Sequence, residues 1–305
     1  APTHDAKEGI VAFLEKRGVP VLVFAPVADT PAFEAVGELV PVPSFAIPTR
    51  KEYRIATGLP AAQRKRLEAF RPTLFHIAVP DILGYQALKL AERWNVPVVA
   101  SYHTRYDAYL RFYGLGIFEK VGQRYMRNFY KRVRRVYPPS DSMAEIIRSE
   151  GQSQHVEVWA RGVDSELFSP GKRDTAWRRA RGIADDEITI SFAGRLVKEK
   201  NTSIYMRVMN LLAARGLKVK PLVIGDGPEM TVMKSGLKNG VFAGFLHGED
   251  EQGLAAKLET LVTDDALRRR MGEAARARAL TFSWDAILSG LLDSYRTVLR
   301  EAHGR

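Results

Sequence analysis

Seven short apolar runs recur along the chain, and they restrict its fold more than any other feature. They are "PVLVFA" (20–25), "LFHIAV" (74–79), "PVVAS" (97–101), "VEVWA" (156–160), "ITISFA" (188–193), "KPLVIG" (220–225) and "VFAGF" (241–245). These runs are β-branched and continuously apolar, the pattern of strands covered on both faces. Amphipathic stretches lie between them, at 83–94, 201–215 and 264–280, and a further one runs from Trp284 to Glu301. Alternating β and α elements predict an α/β fold with parallel sheets wound on both faces. The stretch "RGVDSELFSPGKRD" (161–174) breaks both periodicities with Gly and Pro and marks the expected domain boundary. A chain of 305 residues holds two domains of ordinary size.

Composition removes several classes of function. The chain has no cysteine, which excludes disulfides, thiol catalysis and thiolate metal sites and fits a cytoplasmic location. No apolar run approaches the ~18 residues of a membrane span, and no secretory leader is visible. The six histidines show no zinc-ligand spacing, and neither a P-loop nor a D-x-D carboxylate pair occurs. Net charge is +11. A chain this basic meets nucleic acid, anionic membrane or phosphorylated ligands. No nucleic-acid-binding signature supports the first of these.

Ligands of open parallel sheets sit at the carboxyl ends of the strands. Gly194, Arg195 and Lys200 follow the run 188–193, just before a helix expected to begin near Asn201. A diphosphate fits two cations and a helix N-terminus; two solvated surface charges are the alternative. Gly225, Asp226 and Gly227 follow the run 220–225, where glycines permit a tight turn or the close approach of a ligand. His103 ends the run 97–101, and Arg105 and Arg111 with Tyr102, Tyr106, Tyr109 and Tyr113 form a polar-aromatic rim beside it. That rim suits a sugar or head group, or it is packing.

The stretch 118–136 reads as one two-faced helix. Phe118, Val121, Tyr125, Phe129, Val133 and Val136 form the expected core face, and Lys120, Arg124, Arg127, Lys131 and Arg134 form a basic stripe opposite. Between Ser101 and Pro139 nine basic residues face two acidic ones, so this stretch carries +7 of the total +11.

In combination, "SYHT" (101–104), "PPSDSM" (138–143), "RGVDSELFSP" (161–170), "FAGRLVKEKN" (192–201), "VIGDGPE" (223–229) and "FAGFLHGED" (242–250) resemble the retaining glycosyltransferases of family 4. The likeness is greatest to glycolipid-forming members, sulfoquinovosyl- and mannosyl-transferases. The resemblance implies the GT-B fold, two doubly wound Rossmann-like domains facing a cleft. Residues 1–162, joined by the helix 284–303, would bind the acceptor, and 163–283 the nucleotide-sugar. It implies that Arg195 and Lys200, with Gly194, hold the donor diphosphate and take up the charge released when the glycosidic bond breaks. Fixed cations at a developing charge are a strong catalytic device, and they would stand in for a metal, so no metal or other cofactor is expected. His103 corresponds to the acceptor-side histidine. Gly225, Asp226, Gly227, Phe245 and Leu246 correspond to the nucleotide-binding region.

The further expectations are a UDP-sugar donor, with GDP-sugar possible, a lipid or lipid-linked acceptor, and no nucleic-acid partner. Arg105, Tyr109, Lys120, Arg124, Arg127 and Lys131 are the candidates for the acceptor and an anionic membrane surface, which would place the protein at the inner face of the cell membrane. A sugar-nucleotide epimerase of the same fold is the competing enzyme class. Two departures from the family stand out. Its N-terminal Gly-rich loop is not found, and neither is its pair of glutamates eight positions apart. Glu249 and Glu251 are not substitutes for that pair; the expectation is that two strand–helix units, roughly 30 residues each, are missing from this sequence at 250/251, the alternative being a real deletion and an inactive protein.

Overall fold

The computed structural model describes residues 10–27, 37–47, 50–103, 105, 119–237 and 251–304. They form two compact units, Ala1–Asp164 with Thr281–Arg305, and Ser165–Leu280.

The first unit is built on β5 (Phe75–Ile77), β6 (Val98–Ser101) and β7 (Arg135–Tyr137), a parallel sheet in that order. Its strands follow β1 (Leu22–Ala25), β2 (Glu38–Pro41), β3 (Ser44–Ile47) and β4 (Arg50–Ala56). The first two of these pair in parallel and the last two form an antiparallel hairpin. All four residues of β6 are buried, which explains its unbroken apolar sequence. Alternate side chains supply two cores. Phe75, Ile77, Val98, Ala100 and Val136 face one with α2 (Ala61–Phe70), α3 (Ile82–Arg93), α4 (Glu119–Tyr130) and α5 (Asp141–Ser149). Val99 and Tyr137 face the other with α1 (Ile10–Glu15) and the last helix of the chain, Trp284–Ala302. The sheet is thus covered on both sides. Local chemistry starts these helices, since Asp81 accepts from the Gly84 N–H at 2.8 Å and Ser140 and Ser283 cap their helices in the same way.

The second unit contains α6 (Thr175–Arg179), β8 (Ile188–Ala193), α7 (Thr202–Ala214), β9 (Val219–Ile224), α8 (Met230–Gly236), α9 (Glu251–Thr263) and α10 (Asp265–Leu280). The helix Trp284–Ala302 is α11. β8 and β9 pair in parallel over six residues, from Ile188↔Val219 to Ala193↔Ile224. Ile190 and Phe192 enter a core with Tyr205, Val208, Met209 and Leu212 of α7.

Two expectations need correction, and one element escaped the sequence reading. The run 156–160 is not a strand; it meets β7 through one bridge, Val136↔Val156. The ladder cannot continue because β7 is followed by Pro138 and Pro139, which have no N–H to donate. The hairpin β3–β4 is absent from the sequence reading, because its exposed and charged residues break the apolar pattern. The stretch 118–136 is not one helix: α4 ends at Tyr130, and Arg135–Tyr137 is β7. Met126, Phe129 and Tyr130 are its buried residues, while Val121 is 65% and Tyr125 39% exposed. The run 241–245 and the junction at 250/251 involve residues outside the described ones.

Candidate functional site

In the second unit, two loops leave the carboxyl ends of β8 and β9 and lie on one another. The Gly194 N–H donates to the Ile224 carbonyl at 3.0 Å, and the Leu196 N–H to the Asp226 carbonyl at 2.9 Å. The Leu196 carbonyl in turn accepts from the Glu229 N–H at 3.0 Å. The side chains of Leu196 and Val197 are buried, so the loop is pinned by its middle while Arg195 is exposed. Lys200 ends a 3₁₀ turn, Lys198–Lys200, directly before α7. Asn201, with φ 55°, makes the bend into that helix. Gly194, Arg195, Gly225, Asp226 and Gly227 are therefore brought together, with Lys200 on the same loop as Arg195.

The glycines divide into two kinds. A Cβ on Gly225 would stand 1.8 Å from the Gly194 carbonyl oxygen, and one on Gly227 would stand 2.5 Å from that of Leu196. What a Cβ on either glycine would meet is the backbone of the neighbouring loop. Gly194, with φ 150°, has open space where its Cβ would be. It is the glycine of the set that leaves room for a bound group. Asp226 is exposed, its carboxylate accepting from the Gly227 N–H at 2.7 Å.

In the first unit, the Tyr102 N–H donates to the Tyr137 carbonyl at 2.9 Å, prolonging the ladder one residue beyond β6. His103 follows at the carboxyl end of the sheet. Its ring lies 5.6 Å from that of Trp159, and the Arg161 guanidinium lies 5.1 Å from the centre of Trp159. His103 retains solvent contact, yet crowding strips much of its hydration, and the Arg161 charge adds repulsion. Together these lower its pKa from 6.5 to about 4. At neutral pH the imidazole is neutral and can accept a hydrogen bond.

Arg105 is committed within the protein: it pairs with Glu150 at 2.7 Å, and Glu150 also accepts from Gln152 at 2.6 Å. Gln152 in turn donates to the Tyr102 hydroxyl at 3.3 Å. This chain ties the residues on either side of His103 to the end of α5. Lys120, Arg124 and Arg127 are exposed on α4, and Lys131 is exposed just past its end. Tyr106, Tyr109, Arg111, Tyr113, Phe245, Leu246 and Glu249 lie outside the described residues.

Sequence reasoning missed a buried polar cluster behind His103. His76 bonds through Nε2 to the Ser101 hydroxyl at 2.6 Å and through Nδ1 to the Tyr295 hydroxyl. Burial, with His103 as a lesser cause, lowers the His76 pKa to about 4. A histidine inside an apolar strand run was the available signal. Among the described residues no group of three or more His, Asp or Glu side chains is placed to hold a metal ion. No described helix is long and apolar enough to cross a membrane.

Units of parallel strands covered by helices agree with the GT-B class of fold. Sucrose-phosphate synthase of Thermosynechococcus elongatus shares it, with a TM-score of 0.68 over 96% of this chain and 92% of that one, at 15% identity. The chain belongs to Glycosyltransferase Family 4, whose model matches residues 9–167. The GDP-mannose-dependent alpha-mannosyltransferase of Mycobacterium tuberculosis is 30% identical over 83% of this chain and 66% of its own length. The sulfoquinovosyl transferase of Arabidopsis thaliana is 24% identical over 80% of this chain and 48% of its own. The chain thus spans two thirds or less of either relative.

Proposed function

We propose that this chain carries the active site of a retaining, metal-independent glycosyltransferase that moves a sugar from a nucleotide-sugar to a lipid or lipid-linked acceptor. The observation that carries the reading is the loop Gly194–Lys200, pinned through Leu196, with Arg195 exposed beside an open glycine and α7 beginning directly after Lys200. Fixed positive charge and a helix N-terminus suit a leaving diphosphate. As the sugar's bond to that diphosphate breaks, a bond to the acceptor oxygen forms on the same face. The acceptor proton passes to a phosphate oxygen of the leaving group. His103, neutral, accepts a hydrogen bond from the acceptor or the sugar. Since the mannosyltransferase relative is named for GDP-mannose, that donor replaces a UDP-sugar as the first to test.

The acceptor reading has its own support in the first unit. Val121 (65%), Ile82 (50%) and Val79 (39%) are exposed apolar residues. Tyr125 of α4 donates to the Pro80 carbonyl at 2.8 Å, which draws the three towards one surface. Lys120, Arg124 and Arg127 are on the same helix. Apolar residues among cations fit the interface of an anionic bilayer, in keeping with a peripheral protein at the inner face of the membrane.

Arg195→Ala and Lys200→Ala test the reading. Each should reduce transfer from GDP-mannose about 10²–10³-fold, the usual loss for one oxyanion-type donor, with unfolding unchanged. Chelator should leave the wild-type rate intact, and the product should keep the donor's anomeric configuration. Near-wild-type turnover in both variants, with GDP- and UDP-sugars alike, would reject the assignment.

A further inference from the structure

Two separate routes lead from His76 to His103. The first runs through the backbone. His76 Nε2 bonds to the Ser101 hydroxyl at 2.6 Å, and Ser101 ends β6 two residues before His103. The Ser101 carbonyl accepts from the Tyr130 hydroxyl at 3.1 Å. The next N–H, that of Tyr102, is held by the Tyr137 carbonyl at 2.9 Å. Groups from β5, α4 and β7 thus clamp the two positions before His103, and His76 supplies the hold on the Ser101 side chain.

The second route runs through a ring. Trp159 lies against both imidazoles, with ring centres 5.8 Å from His76 and 5.6 Å from His103. Its backbone is fixed, because the Trp159 N–H donates to the Pro138 carbonyl at 2.8 Å. Its buried indole N–H has no acceptor among the described residues. The plane of the indole is therefore set by what packs on it, and both imidazoles are among its neighbours.

His76 is fixed in turn by α11. Its Nδ1 bonds to the Tyr295 hydroxyl, and the rings of Tyr295 and Tyr137 lie 5.7 and 5.9 Å from its own. At neutral pH the His76 imidazole is uncharged, and a neutral imidazole carries one donor and one acceptor. Bonds at both nitrogens hold the ring in one plane. An apolar ring of similar size would fill the space but would grip neither Ser101 nor Tyr295. A fully satisfied polar network of this kind specifies one arrangement of the groups around it.

We infer that His76 is a positioning residue: seated on Tyr295, it orients His103 through Ser101 and Trp159. That this orientation serves sugar transfer rests on the function proposed above; that His76 orients His103 does not.

The test removes the polar set and keeps the core filled. In the triple variant His76→Phe, Ser101→Ala, Tyr295→Phe neither hydroxyl is left without its imidazole. Replacing all partners of a buried bond by apolar groups is nearly neutral for stability, so the melting temperature should stay near that of the wild type. The full chain is labelled with ¹³C in its His and Trp rings, and the nuclear Overhauser contact between His103 and Trp159 is followed. The wild type should show the contact and the triple variant should lose it. With GDP-mannose as donor, kcat should fall about 10–100-fold, the scale of loss for a misplaced group, while the donor KM is unchanged. A role in packing alone predicts native contact and native rate wherever the melting temperature is native. An undiminished His103–Trp159 contact in the folded triple variant would overturn the inference. Loss of the contact with an unchanged kcat would remove its catalytic part. Loss of the contact, with a wild type that transfers sugar to no acceptor, would sink the proposed function and leave the positioning standing. If the triple variant does not fold, Tyr295→Phe, which takes one oxygen from the far side of His76, is read by the same contact and the same kcat with the same outcomes.

Discussion

At the scale of single residues, two histidines set a pH limit on the first unit. His76 is buried among Tyr137, Trp159 and Tyr295, with ring distances of 5.7–5.9 Å, and its pKa is about 4 instead of 6.5. His103 is shifted the same way. A depressed folded-state pKa means that the unfolded chain takes up the proton first as the pH falls. The stability contributed by neutral His76 is therefore complete above about pH 6.5 and is lost progressively towards pH 4. The loss is about 1.4 kcal/mol per pH unit, or roughly 3 kcal/mol in all. Urea unfolding between pH 7 and 4 should show this slope, and His76→Asn should flatten it. A variant with the same slope as the wild type would show that His76 does not titrate in this window. At a neighbouring scale of detail, Gly225 shows what a single hydrogen atom permits: its bare Cα lets the β9 loop lie against the Gly194 carbonyl.

Among the elements, α4 has two tasks. Met126, Phe129 and Tyr130 follow an i, i+3, i+4 spacing and fasten the helix to the sheet. Its outer side presents Val121 and Tyr125 with Lys120, Arg124 and Arg127. Each basic residue at an anionic leaflet contributes about 1 kcal/mol, and the attraction fades within a Debye length. Binding to vesicles should require anionic lipid, weaken with salt, and fall when Lys120, Arg124, Arg127 and Lys131 become glutamine. The substitutions are at exposed positions, so the melting temperature should stay put. Equal binding to neutral vesicles, or to none, would show that these charges serve solubility alone.

For the whole molecule, the decisive feature is that the first unit takes its last helix from the far end of the chain. Leu288, Leu291, Leu292, Tyr295 and Val298 of α11 are buried with Phe13, Leu14, Val99 and Tyr137. At about 1.5–3 kcal/mol for each large apolar side chain, they contribute roughly 10 kcal/mol, similar to the ~5–15 kcal/mol net stability of a typical protein. A chain ending at Leu280 should therefore lose the cooperative unfolding of the first unit and its resistance to trypsin. Retention of both would mean that the sheet does not depend on α11.

Much of this was legible in the residues themselves. An unbroken β-branched run marks a strand buried on both faces, because the pattern is set by the strand's immediate surroundings; β8 and β6 were found that way. Cations and glycines directly after such runs mark strand-end loops for the same local reason, which put Gly194, Arg195, Lys200, Gly225 and Gly227 in view. Local pattern could not tell which side of α4 is buried, because Val121 and Tyr125 are apolar whether or not a sheet lies beneath them. Nor could it give the β3–β4 hairpin, whose charged residues hide its pairing. Only the tertiary structure decided that Gly225 faces the Gly194 carbonyl, that His76 meets Tyr295 across 219 residues of sequence, and that Arg161 stands on Trp159 beside His103. Such contacts join residues far apart in the chain, and it is sheet order, strand length and the path of the backbone between them that bring the partners within reach.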